Sequence, residues 1–174
     1  GSPKEAYLYL EKLKQILEYL EICDANMERG NLRCDANISL RKTESDPLGS
    51  RVEIKNMNSF HNLERALQSE VELQSLALDK GEEVRQITKR WDPAKGKTIP
   101  MRSKEEAQDY RYFPEPDLVR LDVVNEEFIE RARNCLPELP GKKRTRFMNE
   151  YKLSEYDARV LTDRKFVADY FEEV

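Results

Sequence analysis

Asp35 and Glu53 are the two carboxylates of this chain that the sequence sets among cations in a repeating pattern. Residues 32–41 alternate apolar and polar without a fault, with Leu32, Cys34, Ala36, Ile38 and Leu40 against Arg33, Asp35, Asn37, Ser39 and Arg41. Side chains of a strand point to opposite faces in turn, so the polar set shares one face. Residues 51–56 alternate again, with Arg51, Glu53 and Lys55 on one side and Val52 and Ile54 on the other. The turn signal Asp46-Pro47-Leu48-Gly49 lies between the two segments, which predicts an antiparallel pair. Such a face gathers hard oxygen donors and cations. The carboxylates suit Mg²⁺, which takes few protein ligands and keeps water or phosphate in the rest of its shell. Arg33, Arg51 and Lys55 suit phosphoryl or carboxylate oxygens. Two plainer readings stand beside this one: the solvated side of a half-buried sheet, and a structural ion pair of Asp35 or Glu53 with Arg33, Arg51 or Lys55.

Other chemistries find little material. There is one histidine, His61, so a Ser-His-Asp triad or a His-rich metal centre is not expected. The three cysteines, Cys23, Cys34 and Cys135, are odd in number and lack C-x-x-C spacing, which speaks against a disulfide framework or a cysteine zinc site. No glycine-rich phosphate loop of either common pattern occurs, so any ATP chemistry would use another fold. A net charge of −4 argues against a general DNA binder, although a local basic patch can still meet RNA. No apolar run approaches the ~20 residues that span a bilayer, and the amino end is charged and amphipathic rather than a signal region. Residues 110–117 combine three aromatics, an arginine, two acids and two prolines. This stiff stretch either stacks a base or ribose, with Arg111 and Tyr112 as candidate substrate contacts, or plugs the core as a linker. Lys142-Lys143-Arg144-Thr145-Arg146 is either an RNA-backbone contact or a solvated helix face.

The elements that would position these residues are legible in outline. Ser2, Pro3 and Glu5 form a helix start, and Tyr7, Leu10, Leu13, Leu17 and Leu20 follow at helical spacing. Gly30-Asn31 marks a turn before the first strand. After the second strand, Asn58 or Ser59 caps a long amphipathic helix that Gly81 stops. Residues 83–91 and 98–102 read as a hairpin of strands around residues 92–97. From about residue 123 the pattern is helical only, with Asn125, Ser154 and Thr162 as caps and segments near 142–151, 155–161 and 163–172. The expected fold is α+β, an antiparallel sheet with packed helices over 1–122, followed by an all-α segment over 123–174.

Several strings in order carry a family resemblance: LRCDANIS at 32–39, EIKNMNSF at 53–60, MRSKE at 101–105, DYRYFPEPDL at 109–118 and PELP at 137–140. SPKEAYLYL at 2–10 and YDARVLT at 156–162 add to it. The chain resembles the B subunit of the aspartyl/glutamyl-tRNA amidotransferases (GatB) over essentially its whole length. The resemblance implies an internal fragment of such a protein: the later part of a glutamine-synthetase-like cradle plus the first helices of a tRNA-holding domain. It implies three partners: the glutaminase subunit, the small third subunit of the heterotrimer, and misacylated tRNA. It implies no membrane, and a setting in the cytoplasm or an organelle of bacterial descent. It implies ATP and Mg²⁺, used to phosphorylate the side-chain carboxylate of Glu-tRNA(Gln) or Asp-tRNA(Asn) before ammonia from glutamine displaces the phosphate. On that basis Asp35 and Glu53 would hold Mg²⁺ or orient ammonia, Arg33 and Lys55 would face phosphate, and Asn56 and Asn58 would orient substrate or cap the next helix. The fragment by itself is expected to be inactive. The competing expectation is a non-catalytic module that binds tRNA or assembles the complex.

Overall fold

The computed structural model describes residues 1–101, 116–119 and 125–174. The expected domain boundary near residue 122 and the candidates Arg111 and Tyr112 lie outside the described residues. The chain separates into two compact units: Gly1–Lys14 with Cys23–Ser103, and Gln15–Ile22 with Lys104–Val174.

Helix α1 (Pro3–Tyr19) starts as its sequence demands, with Ser2 Oγ accepting the Glu5 amide at 3.1 Å. In the first unit, strands β1 (Ala36–Ile38), β2 (Val52–Lys55), β3 (Ile87–Asp92) and β4 (Lys97–Pro100) form one sheet in the order β1-β2-β3-β4. Helix α2 (Phe60–Asp79) intervenes between β2 and β3. The α+β class is as expected, but the sheet is mixed rather than antiparallel throughout. The β1–β2 and β3–β4 pairs are antiparallel, whereas β2 and β3 run parallel. The cause is α2, whose 20 residues carry the chain back along the sheet; a parallel pair needs a crossover of this kind.

Ser59 rather than Asn58 caps α2, its Oγ accepting the Asn62 amide at 3.1 Å. Gly81 ends the helix region with φ +75°, a conformation that costs a glycine nothing. One face of α2 and of the sheet closes the core: Leu10, Ile54, Met57, Leu63, Ala66, Leu67 and Trp91 are buried together, with Ala36, Ile38 and Cys34 against them. Two polar residues join this apolar side. Glu70 is 1% exposed and takes Lys89 Nζ at 2.9 and 3.0 Å and the Thr98 hydroxyl at 2.8 Å. Lys89 pairs with Ile54 across the ladder, so it shares the core face while Thr88 and Arg90 take the other.

The long alternation of residues 32–41 yields only a three-residue strand, because a ladder forms only where β2 runs opposite. Beyond it the chain turns back through a loop closed by the Gly49 amide on the Leu40 carbonyl at 2.9 Å. A Cβ at Gly49 would lie 2.8 Å from that carbonyl oxygen, so the close approach requires glycine.

In the second unit the described residues form helices α3 (Glu126–Asn134), α4 (Pro140–Glu150), α5 (Glu155–Leu161) and α6 (Lys165–Glu173). Asn125 and Ser154 cap α3 and α5 as read from sequence, accepting the amides of Phe128 and Asp157. Thr162 does not cap α6. Its buried hydroxyl donates to the Ala158 carbonyl at 2.7 Å and closes α5, and α6 starts after Arg164. Phe147, Ala158 and Ala168 form the core, with Phe171 and Tyr151 packed edge-on at centroid distances near 5 Å. The last turns of α1 belong here: the Tyr19 hydroxyl donates to the Thr162 carbonyl at 2.8 Å, and burial pushes its pKa up to about 12.

Candidate functional site

The solvent-side face of the sheet collects the candidate residues. Register decides how. Asn37 stands opposite Glu53 in the β1–β2 pair, so Asp35 falls just beyond the ladder at the level of Lys55. A turn centred on Asp46–Pro47 would have set Asp35 and Glu53 several residues apart; the observed pairing brings them onto one ammonium. Lys55 Nζ lies 3.5 Å from Glu53 Oε1 and 3.7 Å from Asp35 Oδ2. The ion pair weighed from sequence is thus real, and its cation is Lys55 rather than Arg33 or Arg51.

The cluster is open. The side chains of Asp35, Glu53 and Lys55 are 51%, 33% and 42% exposed. At that exposure each pair stabilises the fold by about 0–1 kcal/mol at most. A structural role is therefore a weak account of this constellation, and all three groups remain reachable from solution.

Strand β3 extends the face with residues that alternation alone does not reveal. Thr88 stands opposite Glu53 in the parallel pair, and its hydroxyl donates to Glu53 Oε2 at 3.0 Å. Arg90 stands opposite Lys55, half exposed, with its guanidinium 3.9 Å from Asp92. The signal that could have found them is the length of α2. A strand, a 20-residue helix and a second strand imply a parallel crossover, which sets Thr88 and Arg90 beside β2.

Other candidates stand apart. Arg33 is exposed, its guanidinium beside Gly30, and among the described residues no ion pair joins it to the cluster. Arg51 is exposed just before β2. Asn56 is exposed just after β2 with φ +66°, a left-handed conformation that Asn tolerates better than most residues. Asn58 is exposed, its Oδ1 accepting from Asn62 Nδ2 at 2.7 Å. Trp91 Nε1, a donor only, bonds Asn62 Oδ1 at 3.2 Å, which fixes the sense of that amide pair.

The donor chemistry on the sheet face is that of a hard cation. Two carboxylates flank one ammonium, which leaves one negative charge uncompensated at the cluster. Among the described residues no group of three or more His, Cys, Asp or Glu side chains forms a metal cage. Carboxylate oxygens are the donor type Mg²⁺ takes, one or two from protein with water and phosphate completing the shell.

Comparison with known proteins gives this face a context. Residues 1–130 match the family model described as the GatB/GatE catalytic domain. The chain is 52% identical over 173 residues to the B subunit of the aspartyl/glutamyl-tRNA(Asn/Gln) amidotransferase of Thermoanaerobacter sp. (strain X514). It is 54% identical to the protein of the same name from Nitrosococcus oceani, and 54% identical to the first of the B subunits so named in Clostridium acetobutylicum. Each match takes in 99% of this chain and 36% of the relative, so the chain spans about a third of the length of the curated relatives it matches. With three quarters of its residues inside the family model and an α+β sheet beneath them, this chain belongs to the GatB/GatE catalytic domain family.

Proposed function

We propose that this chain is part of the B subunit of a tRNA-dependent amidotransferase, and that its open sheet face serves the activation of a carboxylate. A carboxylate resists attack by ammonia until one of its oxygens becomes a good leaving group. The reaction that fits is transfer of the ATP γ-phosphoryl group to the side-chain carboxylate of Glu-tRNA(Gln) or Asp-tRNA(Asn). Ammonia then attacks the acyl carbon, the carbon–oxygen bond to phosphate breaks, and Gln-tRNA or Asn-tRNA results. Catalysis of such a transfer is mainly positioning and charge neutralisation.

The observation that carries the reading is the Asp35–Lys55–Glu53 cluster on a face that is exposed rather than packed. Lys55 holds a point charge where negative phosphoryl oxygens would gather, and Arg33, whose guanidinium lies beside Gly30, would have to swing toward the cluster to face phosphate. Asp35 and Glu53 would hold Mg²⁺, directly or through water, or orient the incoming ammonia. When bound, Mg²⁺ supplies charge neutralisation at the phosphoryl group. Asn56, Asn58, Arg111 and Tyr112 are assigned to substrate contacts. We take residues 1–122 as the later part of the cradle and 123–174 as the start of the helical domain. The partners are then the glutaminase subunit, the small third subunit and misacylated tRNA. The setting is the cytoplasm or an organelle of bacterial descent; no described helix is long and apolar enough to cross a membrane. Because the chain spans 36% of its relatives, amidation is expected of the full-length protein with its partners and not of this chain alone.

The test uses the full-length protein in its assembled complex. Asp35→Asn and Glu53→Gln should each lower amidation of misacylated tRNA by about a hundredfold or more while tRNA binding persists. Amidation near the wild-type rate in both variants would remove the assignment. Loss of tRNA binding or of assembly instead would favour the non-catalytic module.

A further inference from the structure

We propose that Thr88 is a positioning residue for Glu53, fixing the orientation in which its carboxylate is presented at the sheet face. The inference rests on the reading of that face as the site of carboxylate activation. Parallel pairing sets Thr88 directly beside Glu53, and side chains of opposed residues share a face. An ionised carboxylate only accepts hydrogen bonds, so in the 3.0 Å contact the hydroxyl must be the donor. It engages Oε2. Oε1 is the oxygen that faces Lys55 Nζ at 3.5 Å. The two oxygens of Glu53 are therefore unlike: one is tied to β3, the other is turned to the cluster that Asp35 shares.

The tether is firm because Thr88 itself is held. Its carbonyl accepts the Met101 amide at 2.9 Å, and the next residue, Lys89, is anchored beneath the sheet by buried Glu70. Thr88 cannot move away without breaking a strand. Valine has the same branching and an equal liking for a strand, so its substitution for Thr88 removes the hydroxyl and little else. Free of Thr88, the Glu53 carboxylate would turn about its last torsion, which is broad. Its plane would then no longer be set, and the geometry presented to Lys55 would vary.

The test compares Thr88→Val, Thr88→Ser and Glu53→Gln in the full-length protein within its complex. Loss of one hydrogen bond to a charged group predicts a fall in kcat of about tenfold to a hundredfold for Thr88→Val. KM for the aminoacyl-tRNA should stay within about twofold, since Thr88 acts through Glu53, and the melting temperature within about 2 °C, since valine suits the strand. Thr88→Ser, which keeps the donor, should recover most of the rate. Unchanged kcat in Thr88→Val beside an inactive Glu53→Gln overturns the positioning role and leaves the site assignment standing. Equal losses in the Val and Ser variants, or a loss matched by a lower melting temperature, overturn it too, because the hydroxyl is then not the cause. A fully active Glu53→Gln removes the site reading and this inference with it.

Discussion

Lys55 and Asp35 meet across the end of the β1–β2 ladder, Nζ to Oδ2 at 3.7 Å, with Glu53 closing on the same nitrogen from within β2. If Lys55 serves the proposed site rather than the fold, its two effects come apart, because the pairs are exposed and contribute little to folding. Replacing Lys55 with Met should change unfolding free energy by no more than about 0.5 kcal/mol. In the full-length complex it should lower amidation by about a hundredfold or more, the usual cost of losing a preorganised charge at a transferring group. Lys55→Arg should recover only part of the rate, since a planar fork does not replace a point charge. Thermal melts and single-turnover amidation measure the two effects, and a variant that melts early yet amidates normally would reverse the assignment.

Beneath the same strands the electrostatics work the other way. Glu70 is 1% exposed, and Lys89 and Thr98 reach it from β3 and β4. Gln74 Nε2 donates to it as well at 3.2 Å. Removing one partner leaves an uncompensated charge in the core, so Glu70→Ala should destabilise the chain by about 3 kcal/mol. The double variant Glu70→Leu, Lys89→Met should recover part of that, because it removes the unpaired charge while the Thr98 hydroxyl and the Gln74 amide still lose their acceptor. Urea denaturation of the three proteins reads this directly. Equal losses in the single and double variants would show that packing rather than charge sets the cost.

The two faces explain which parts of the molecule are legible in sequence. Alternation locates β2 and its polar set Glu53 and Lys55, and cap residues locate the starts of α1, α3 and α5. Those signals are local: one side chain and a backbone amide three residues on. What sequence misses is non-local. Alternation has no means to state which strand lies beside β2, so β3 reads as half of a separate hairpin and Thr88 and Arg90 stay out of view. Lys89 looks like any surface lysine until Glu70, nineteen residues away on a helix, is seen beneath it. Thr162 carries the composition of a helix cap, yet burial turns its hydroxyl inward to Ala158. Arg33 illustrates the converse: it continues the alternation, but the ladder stops short of it and its side chain goes its own way.

Asn56 separates a backbone role from a side-chain role. Its φ of +66° disfavours any residue with a Cβ, and glycine least. Asn56→Ala should therefore cost about 1 kcal/mol of stability, whereas Asn56→Gly should be neutral within about 0.5 kcal/mol. The glycine variant keeps the turn and deletes the amide. If Asn56 contacts substrate, Asn56→Gly should lower amidation by the full-length complex by about tenfold with no shift in melting temperature. Wild-type turnover in that variant would assign Asn56 to the turn alone.

The helical unit should be acid-sensitive, and the sign follows from its buried lysine. Lys143 is 7% exposed and reaches Asp169 and Glu172 of α6, both at 2.7 Å. The hydrogen bond from Lys143 holds Asp169 below its ordinary pKa against the effect of burial, with Lys165 adding to it. For Glu172 burial acts upward, and the hydrogen bonds from Lys143 and Arg146 outweigh it, so its pKa is also lowered. Lys143 is pushed down by burial and raised further by the two acids, for a net rise. The other charges at this junction are Glu138 and Glu150 on Arg146, and Glu21 on Lys165. Carboxylates with lowered folded pKa values stabilise fully above the ordinary carboxylate range near 4 and lose that contribution as pH falls through the folded values. The raised lysine contributes fully below its ordinary value near 10.4 and loses its share only above that. Stability of this unit should therefore be level from about pH 5 to pH 9 and decline below about pH 4. Circular dichroism melts of wild type and of the Asp169→Asn, Glu172→Gln double variant between about pH 2.5 and pH 7 test this. The double variant should melt earlier at about pH 7 and converge on wild type near pH 3, because at low pH the wild-type carboxyls are neutral as well; curves that stay parallel across that range would place the acid response elsewhere.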